Sequence, residues 1–232
     1  WCFQKMINKK REVVLDTETT GLSFKGGDRI IEIGCVELFD HIPTGKNLQI
    51  YFNPETKKVS EGAIKIHNIT NEFLKKQNFF RDRVEEFLDF ISDDDIIIHN
   101  AKFDIGFLNN ELTICGRPLI KNHIIDTLLL ARKKLGGGQL NLDALCKRFD
   151  ISTAKRKAHG ALLDSNLLAD VYLELVGGRQ RGLDFVVNND IKENVQKIKG
   201  KTKIIDVSEE EMLKHKKFIE TIKNNLWSKV SN

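Results

Sequence analysis

The stretch Val13–Leu22, VVLDTETTGL, decides how the rest of the chain is read. Three apolar residues lead up to Asp16, Glu18 follows two positions later, and the run breaks at Gly21. The β-branched approach and the glycine mark a buried strand and its end. Residues i and i+2 of a strand point the same way, so Asp16 and Glu18 set two carboxylates on one face, about 7 Å apart. Like charges so placed repel, and one is driven to protonate unless a cation lies between them. Ligation by oxygen alone, with neither His nor Cys beside it, favours Mg2+ or Mn2+ over zinc. A lone Asp-x-Glu is far more often a solvated strand end than a metal site, so partners must come from elsewhere in the chain.

Two further stretches offer them. Ile96–Leu108, IIIHNAKFDIGFL, runs a buried strand through a loop into a helix whose first turn holds Asp104. Ala158–Leu175, AHGALLDSNLLADVYLEL, carries His159 and Asp164. That separation does not share a helix face, so both can serve one site only if His159 lies on the lead-in loop or the N-terminal turn. Taken singly, Asp104 is a first-turn acid favoured by the helix dipole, His159 a surface histidine and Asp164 an ordinary helix acid. Taken together, four carboxylates, two divalent ions and an incoming phosphodiester come close to electrical balance, as in a two-metal phosphoryl site. His159 is the candidate general base, since an unperturbed imidazole has a pKa near ~6.5.

Around these stretches the pattern is that of an α/β domain. Val13–Asp16, Arg29–Phe39 and Leu48–Phe52 read as strands of an antiparallel meander, joined by the turn-rich links KGGD and HIPTGKN. An amphipathic helix at Arg81–Ile91 precedes strand Asp95–His99, helix Phe103–Leu112, strand His123–Asp126 and helices Asp126–Lys134, Asn141–Phe149 and Gly160–Val176. Strands alternating with helices imply a parallel half, hence a mixed five-stranded sheet with helices packed on it, over residues 11–176. Residues 177–207 lose periodicity and gain Gly, Asn and Lys, as linkers do. Ser208 and Glu211 then form a capping box ahead of Met212, Ile219, Ile222, Leu226 and Val230, the stripe of a C-terminal helix over 208–230.

Composition narrows the function classes. The chain of 232 residues is 41% hydrophobic with a formal charge of +4. Residues 1–176 balance 25 Lys/Arg against 25 Asp/Glu, so the surplus belongs to the tail, where 12 face 8. A neutral body exerts little long-range pull on a polyanion, so nucleic acid must be met through a local site or with a partner's help. Cys2, Cys35, Cys115 and Cys146 lack the paired spacing of a zinc or redox site and read as free thiols. No apolar run approaches the roughly 18–20 residues that cross a bilayer, and the first ten residues lack a signal peptide's apolar centre. The expectation is a cytoplasmic protein without membrane contact, and residues 1–10 are given no role.

LDTETTGL, HNAKFDIGFL and HGALLDSNLLADVYL, in this order, resemble the three exonuclease motifs of the DnaQ-like DEDDh family, 3′→5′ exonucleases on a ribonuclease H-like fold. The resemblance covers about Glu12 to Gly178. The intervening IIEIGCVEL, IHNITNEFL and NLDALCKRFDI look closest to the branch of proofreading epsilon subunits of bacterial DNA polymerase III. The resemblance implies Asp16, Glu18, Asp104 and Asp164 as ligands of two Mg2+ or Mn2+ ions and His159 as general base. It further implies that Asp16, Glu18, Gly21, Leu22, Glu61, His67, Phe103 and Asp164 meet the terminal nucleotide. Lys155, Arg156 and Lys157 precede His159, where a basic loop can meet backbone phosphates or simply be solvated.

The tail carries the remaining expectations. Gln180–Phe185, QRGLDF, has the Gln-x-x-Leu-x-Phe form of peptides that dock into bacterial sliding clamps. The 208–230 helix resembles, in placement, the tail by which such proofreading subunits hold the polymerase catalytic (alpha) subunit. The substrate implied is a single-stranded or frayed DNA 3′ end, cleaved to nucleoside monophosphates. Two other readings stand beside it: a related exonuclease acting on RNA or oligoribonucleotide ends, and a non-catalytic module that docks on a replisome.

Overall fold

The computed structural model describes residues 10–154, 158–177 and 207–221. It begins with three strands, β1 (Arg11–Thr19), β2 (Ile30–Phe39) and β3 (Ile42–Tyr51), followed by helices α1 (Glu61–His67), α2 (Asn71–Leu74) and α3 (Phe80–Ile91). Then come β4 (Asp95–Ile98), α4 (Ala101–Ile114), β5 (Ile124–Asp126), α5 (Thr127–Leu135), α6 (Leu142–Arg148), α7 (Ala161–Val176) and α8 (Glu209–Thr221). The sheet order is β3-β2-β1-β4-β5. β1 pairs antiparallel with β2 on one side and parallel with β4 on the other, so the expected mixed five-stranded sheet forms around it. Two units divide the chain, Trp1–Asp184 and Phe185–Asn232, and α8 is the described part of the second.

The alternation along β1 separates two cores. Val13 and Leu15 point to the face covered by α3 and α4, where Phe80, Val84, Phe87, Phe107, Leu108 and Leu112 are buried. Val14 points to the other face, against Leu168, Ala169 and Tyr172 of α7. Phe80, Val84, Phe87 and Ile91 recur at helical spacing, which is why α3 forms and which side it buries.

The second and third strands are joined by a tighter turn than the sequence suggests. Only Asp40 and His41 connect β2 to β3, both with positive φ, as a two-residue hairpin of primed type requires. The segment HIPTGKN, expected to be a link, is therefore mostly strand. A register shift between Val36 and Leu38 absorbs Thr44–Lys46, with Gly45 at φ 91°. Pro43 is tolerated because β3 is an edge strand with no outer neighbour to serve. The short helices α1 and α2 carry too little periodicity to announce themselves; each is started by a capping hydroxyl, Ser60 for Ala63 N–H and Thr70 for Phe73 N–H. Lys10, given no role from sequence, pairs with Asp95. Cys35 and Cys146 are buried and Cys115 is half-buried, none of the three in a disulfide, whereas Cys2 lies outside the described residues.

α8 starts with the expected capping box: Ser208 Oγ accepts from Glu211 N–H at 3.3 Å, and the Glu211 carboxylate accepts from Ser208 N–H at 3.2 Å. Met212, Leu213 and Phe218 are exposed on it. Ile222, Leu226 and Val230 of the expected stripe, and Gln180–Phe185, lie outside the described residues.

Helix α7 comes unusually close to β2. A Cβ on Gly34 would lie 2.1 Å from Leu162 N and 2.2 Å from Ala161 C, so only glycine lets the first turn of α7 touch the strand. Ser165 Oγ–H donates to Gly34 O at 2.8 Å across the same contact. Gly34→Ala is expected to destabilise the fold by about 1–3 kcal/mol or more, because backbone rather than a movable side chain must yield. Urea unfolding of the variant against the parent measures this loss.

Candidate active site

β1 outruns its parallel neighbour. The β1–β4 pairing ends at Val14 and Ile97, while β1 continues to Thr19 paired only with β2. Beyond Ile98 the chain turns through His99 and Asn100 into α4, leaving a cleft beside Asp16 and Glu18 at the carboxyl end of the parallel strands. Open α/β sheets place their ligands at such a switch point.

Two helices aim their first turns into this cleft from opposite faces of the sheet. From α4 comes Asp104, only 3% exposed, accepting from Thr17 Oγ–H at 2.6 Å. From α7 comes Asp164, 4% exposed. Asp16 feels the charges of Asp104, Glu18 and Asp164 together, so the four acids predicted from three distant segments are neighbours. His159 lies in the loop just before Gly160, the N-cap of α7, which is the lead-in position its spacing from Asp164 demands. Its Nδ1 is 3.2 Å from Asp164 Oδ2, and its backbone N–H donates to Ile66 O at 3.0 Å, fastening the loop to α1. One ligand atom each from Glu18, His159 and Asp164 lies within 4.8 Å of the others.

The electrostatics are those of a charge cluster held together against its own repulsion. Burial raises the Asp16 pKa well above the ordinary carboxylate range, and the negative charges of Asp104, Glu18, Asp164 and Glu32 push it further. Asp104 is pushed up to about 7, mainly by burial, with the Thr17 hydrogen bond opposing the shift. Desolvation lowers the His67 pKa, with His159 adding to the effect.

Of the expected substrate-side residues, His67 feels the charge of His159 and Phe103 adjoins Asp104 in α4. Gly21 follows β1, and a Cβ there would meet the Asp28 carboxylate at 2.5 Å; Leu22 beside it is 86% exposed. Phe103 packs half-buried on Phe107, with ring centroids 4.9 Å apart. His67 is buried at the end of α1, its Nδ1 accepting from Ile69 N–H at 3.0 Å while its Nε2 completes no hydrogen bond. Glu61 is exposed at the first position of α1 and makes no hydrogen bond or ion pair to the four acids. Lys155, Arg156 and Lys157 lie outside the described residues.

Three residues near the cluster are missed by sequence reasoning. Thr17 alternates away from Asp16 and Glu18, and only the docking of α4 brings it to Asp104. Asp126 accepts from Ala101 N–H at 3.1 Å and from Leu128 N–H at 2.9 Å, so it caps both α4 and α5. Glu32, directly opposite Glu18 in the β1–β2 register, is 1% exposed. No signal in the sequence fixes that register, because residues 20–29 join β1 to β2 and make no tight hairpin turn from which to count.

Residues 13–172 match the RNase_T family model, described as exonuclease. The chain is 46% identical over 226 residues to the protein of Rickettsia felis named DNA polymerase III subunit epsilon, covering 93% of this chain and 98% of that one. It is 38% identical over 221 residues to the protein of that name in Escherichia coli K12, covering 88% and 90%. Among solved structures, the nuclease domain of 3′hExo, a DEDDh family member bound to rAMP, matches with a TM-score of 0.65 at 16% identity, covering 73% of this chain and 93% of that one. Exonuclease X in complex with 5′ overhanging duplex DNA matches with a TM-score of 0.57 at 24% identity, covering 71% and 90%. At these identities the two structures speak for the ribonuclease H-like fold alone. The family model and the close relatives across nearly the whole length show that the chain belongs to the exonuclease family that includes the DNA polymerase III epsilon subunits.

Proposed function

We propose that the chain is the proofreading 3′→5′ exonuclease of a replicative DNA polymerase, removing nucleoside monophosphates from an unpaired DNA 3′ end. The observation that carries this reading is the convergence of Asp16, Glu18, Asp104 and Asp164 at the carboxyl end of the central strand, with His159 at 3.2 Å from Asp164.

The residues present fit divalent cations. An all-oxygen acidic cluster whose members raise one another's proton affinity is the donor set that Mg2+ or Mn2+ selects. Asp16, Glu18, Asp104 and Asp164 are the proposed ligands of two such ions. Bound there, the ions supply Lewis-acid chemistry, easing deprotonation of the attacking water and steadying the leaving 3′ oxygen. His159 is the proposed base that takes the proton of that water, and at 43% exposed its side chain can pass the proton on to solvent. Leu22, presented at the cleft, is proposed to stack on the terminal base, with Phe103 and His67 lining the nucleotide and Gly21 allowing close backbone approach. Glu61 is the proposed acid at the outer rim. A frayed mismatch delivers a single strand to this cleft more readily than a paired end, which is the source of selectivity.

The tail is proposed to supply what the neutral body lacks. Residues 177–207 act as a tether, Gln180–Phe185 docks on the sliding clamp, and the 208–230 helix binds the polymerase catalytic subunit through the side bearing Met212. Tethering raises the effective concentration at the primer end without strong intrinsic DNA affinity. Homologues across nearly the whole length being polymerase III subunits supports this assignment, and a cytoplasmic site of action follows from it. Among the described residues no helix is long and apolar enough to cross a membrane.

Asp16→Ala or Asp164→Ala should lower the single-turnover rate on a 3′-labelled oligonucleotide about a thousandfold or more, the several kcal/mol that metal stabilisation provides. Far-UV circular dichroism should stay unchanged; an Asp16→Ala protein cleaving at the parent rate would reject the metal assignment. Rates on matched DNA and RNA 3′ ends should favour DNA. In a pull-down with polymerase subunit and clamp, a chain ending at Val176 should lose the binding that the full chain shows. The raised pKa of Asp104 also has a sign. The folded protein holds this proton up to about pH 7, whereas the unfolded chain releases it near pH ~3.9. The group's favourable contribution is thus full below about pH 4 and lost as pH rises through about 7. Metal-free Asp104→Asn should therefore melt above the metal-free parent at about pH 8 and alongside it at about pH 4, and Mg2+ should raise the parent's melting temperature more than the variant's.

A further inference from the structure

Helix α7 brings Asp164 and the adjoining His159 to the cleft, yet its own sequence does nothing to finish its first turn. The N-cap is Gly160, which has no side chain to accept from the free N–H groups that follow. The same deficit exists at α4, whose N-cap Asn100 makes no capping bond, and there Asp126 provides the acceptor from another element. For α7 the residue in the corresponding place is Glu32. It stands on β2 two residues before Gly34, the glycine that touches Ala161 and Leu162. Its carboxylate faces the backbone N–H groups of those same two residues.

The side chain is held for this position. Glu32 Oε1 accepts from Gln49 Nε2–H at 2.7 Å, and Gln49 also donates to Tyr51 Oη at 2.8 Å, so the edge strand β3 braces it from the far side. Oε2 lies 3.9 Å from where a Cβ on Gly160 would be, next to His159, and completes no hydrogen bond of good geometry. A carboxylate 1% exposed, among acids that repel it, costs stability unless it serves the helix end it faces.

We propose that Glu32 is a positioning residue, capping α7 from across the sheet and thereby holding His159 and Asp164 in register with Asp16 and Glu18. This rests on the reaction proposed above, for which those four residues are working groups together with Asp104. Glu32 touches neither the scissile bond nor the terminal nucleotide in this account; it acts through the first turn of α7.

The test compares full-length Glu32→Met, which keeps the length and loses the acceptor, with Glu32→Gln, which keeps an acceptor oxygen. Each is assayed for kcat and KM on a 3′-labelled single-stranded oligonucleotide and for Mn2+ affinity by calorimetry. Glu32→Met should lower kcat and weaken Mn2+ binding by about 10–100-fold, the usual effect of removing a group that orients ligands. KM should change by less than about twofold, because the contacts to the nucleotide remain. Glu32→Gln should recover most of both losses. Parent values of kcat and Mn2+ affinity in Glu32→Met, or equal losses in Glu32→Gln, would overturn the inference. Should Glu32→Met fail to fold, Gln49→Leu on the exposed edge strand decides: it should lower kcat and Mn2+ affinity in the same direction, and unchanged values would overturn the inference. Asp16→Ala in parallel separates the two levels. Its full activity would remove the reaction on which the inference rests, whereas an inactive Asp16→Ala beside a parent-like Glu32→Met would remove the positioning role alone.

Discussion

Mutual repulsion among buried and half-buried carboxylates is the constraint on which this structure turns. Asp16, Glu18, Asp104 and Asp164 are crowded into one cleft, and burial strengthens every interaction between them by removing the water that would screen it. The fold meets that cost with large apolar cores on both faces of the sheet, placed so that β1 is gripped from both sides. A divalent cation would turn the same arrangement from a liability into a binding site. The proposed activity and the strain of the metal-free cleft are thus two aspects of one charge distribution.

Holding repelling groups in place demands rigid supports, and the supports are short-range and specific. Both helices that carry an acid into the cleft begin at residues that make no side-chain capping bond, Asn100 and Gly160. Completing their first turns falls to acids elsewhere in the fold, Asp126 at β5 and, as proposed, Glu32 on β2. A helix capped by its own preceding residue is fixed only relative to itself. One capped by a strand is fixed relative to the sheet, which is the frame that matters for a side chain that must meet Asp16.

Electrical neutrality of the body fits the same division of labour. An exonuclease with strong affinity of its own for DNA would grip paired primer ends as readily as frayed ones, whereas a neutral body that depends on a tether samples the end and cleaves what reaches the cleft. In that reading α8, with its intact capping box and its exposed Met212, Leu213 and Phe218, serves recruitment and not chemistry.

What the sequence by itself determined is local chemistry and its order along the chain. The alternation in Val13–Glu18 put two acids on one strand face, the run Ile96–Ile98 led a buried strand into the turn that carries Asp104, and the spacing of His159 from Asp164 required a loop position for the histidine. The strands and the long helices were legible because burial imposes a period on them. Not legible were the strand over Ile42–Asn47, where a bulge hides the pairing, and the short helices α1 and α2, whose formation depends on caps. Only the tertiary structure decided the partnerships: Thr17 with Asp104, Asp126 with the first turn of α4, Glu32 with Ala161 and Leu162. These are contacts between segments far apart in sequence, fixed by how helices dock on a sheet, and no periodicity within either segment records them.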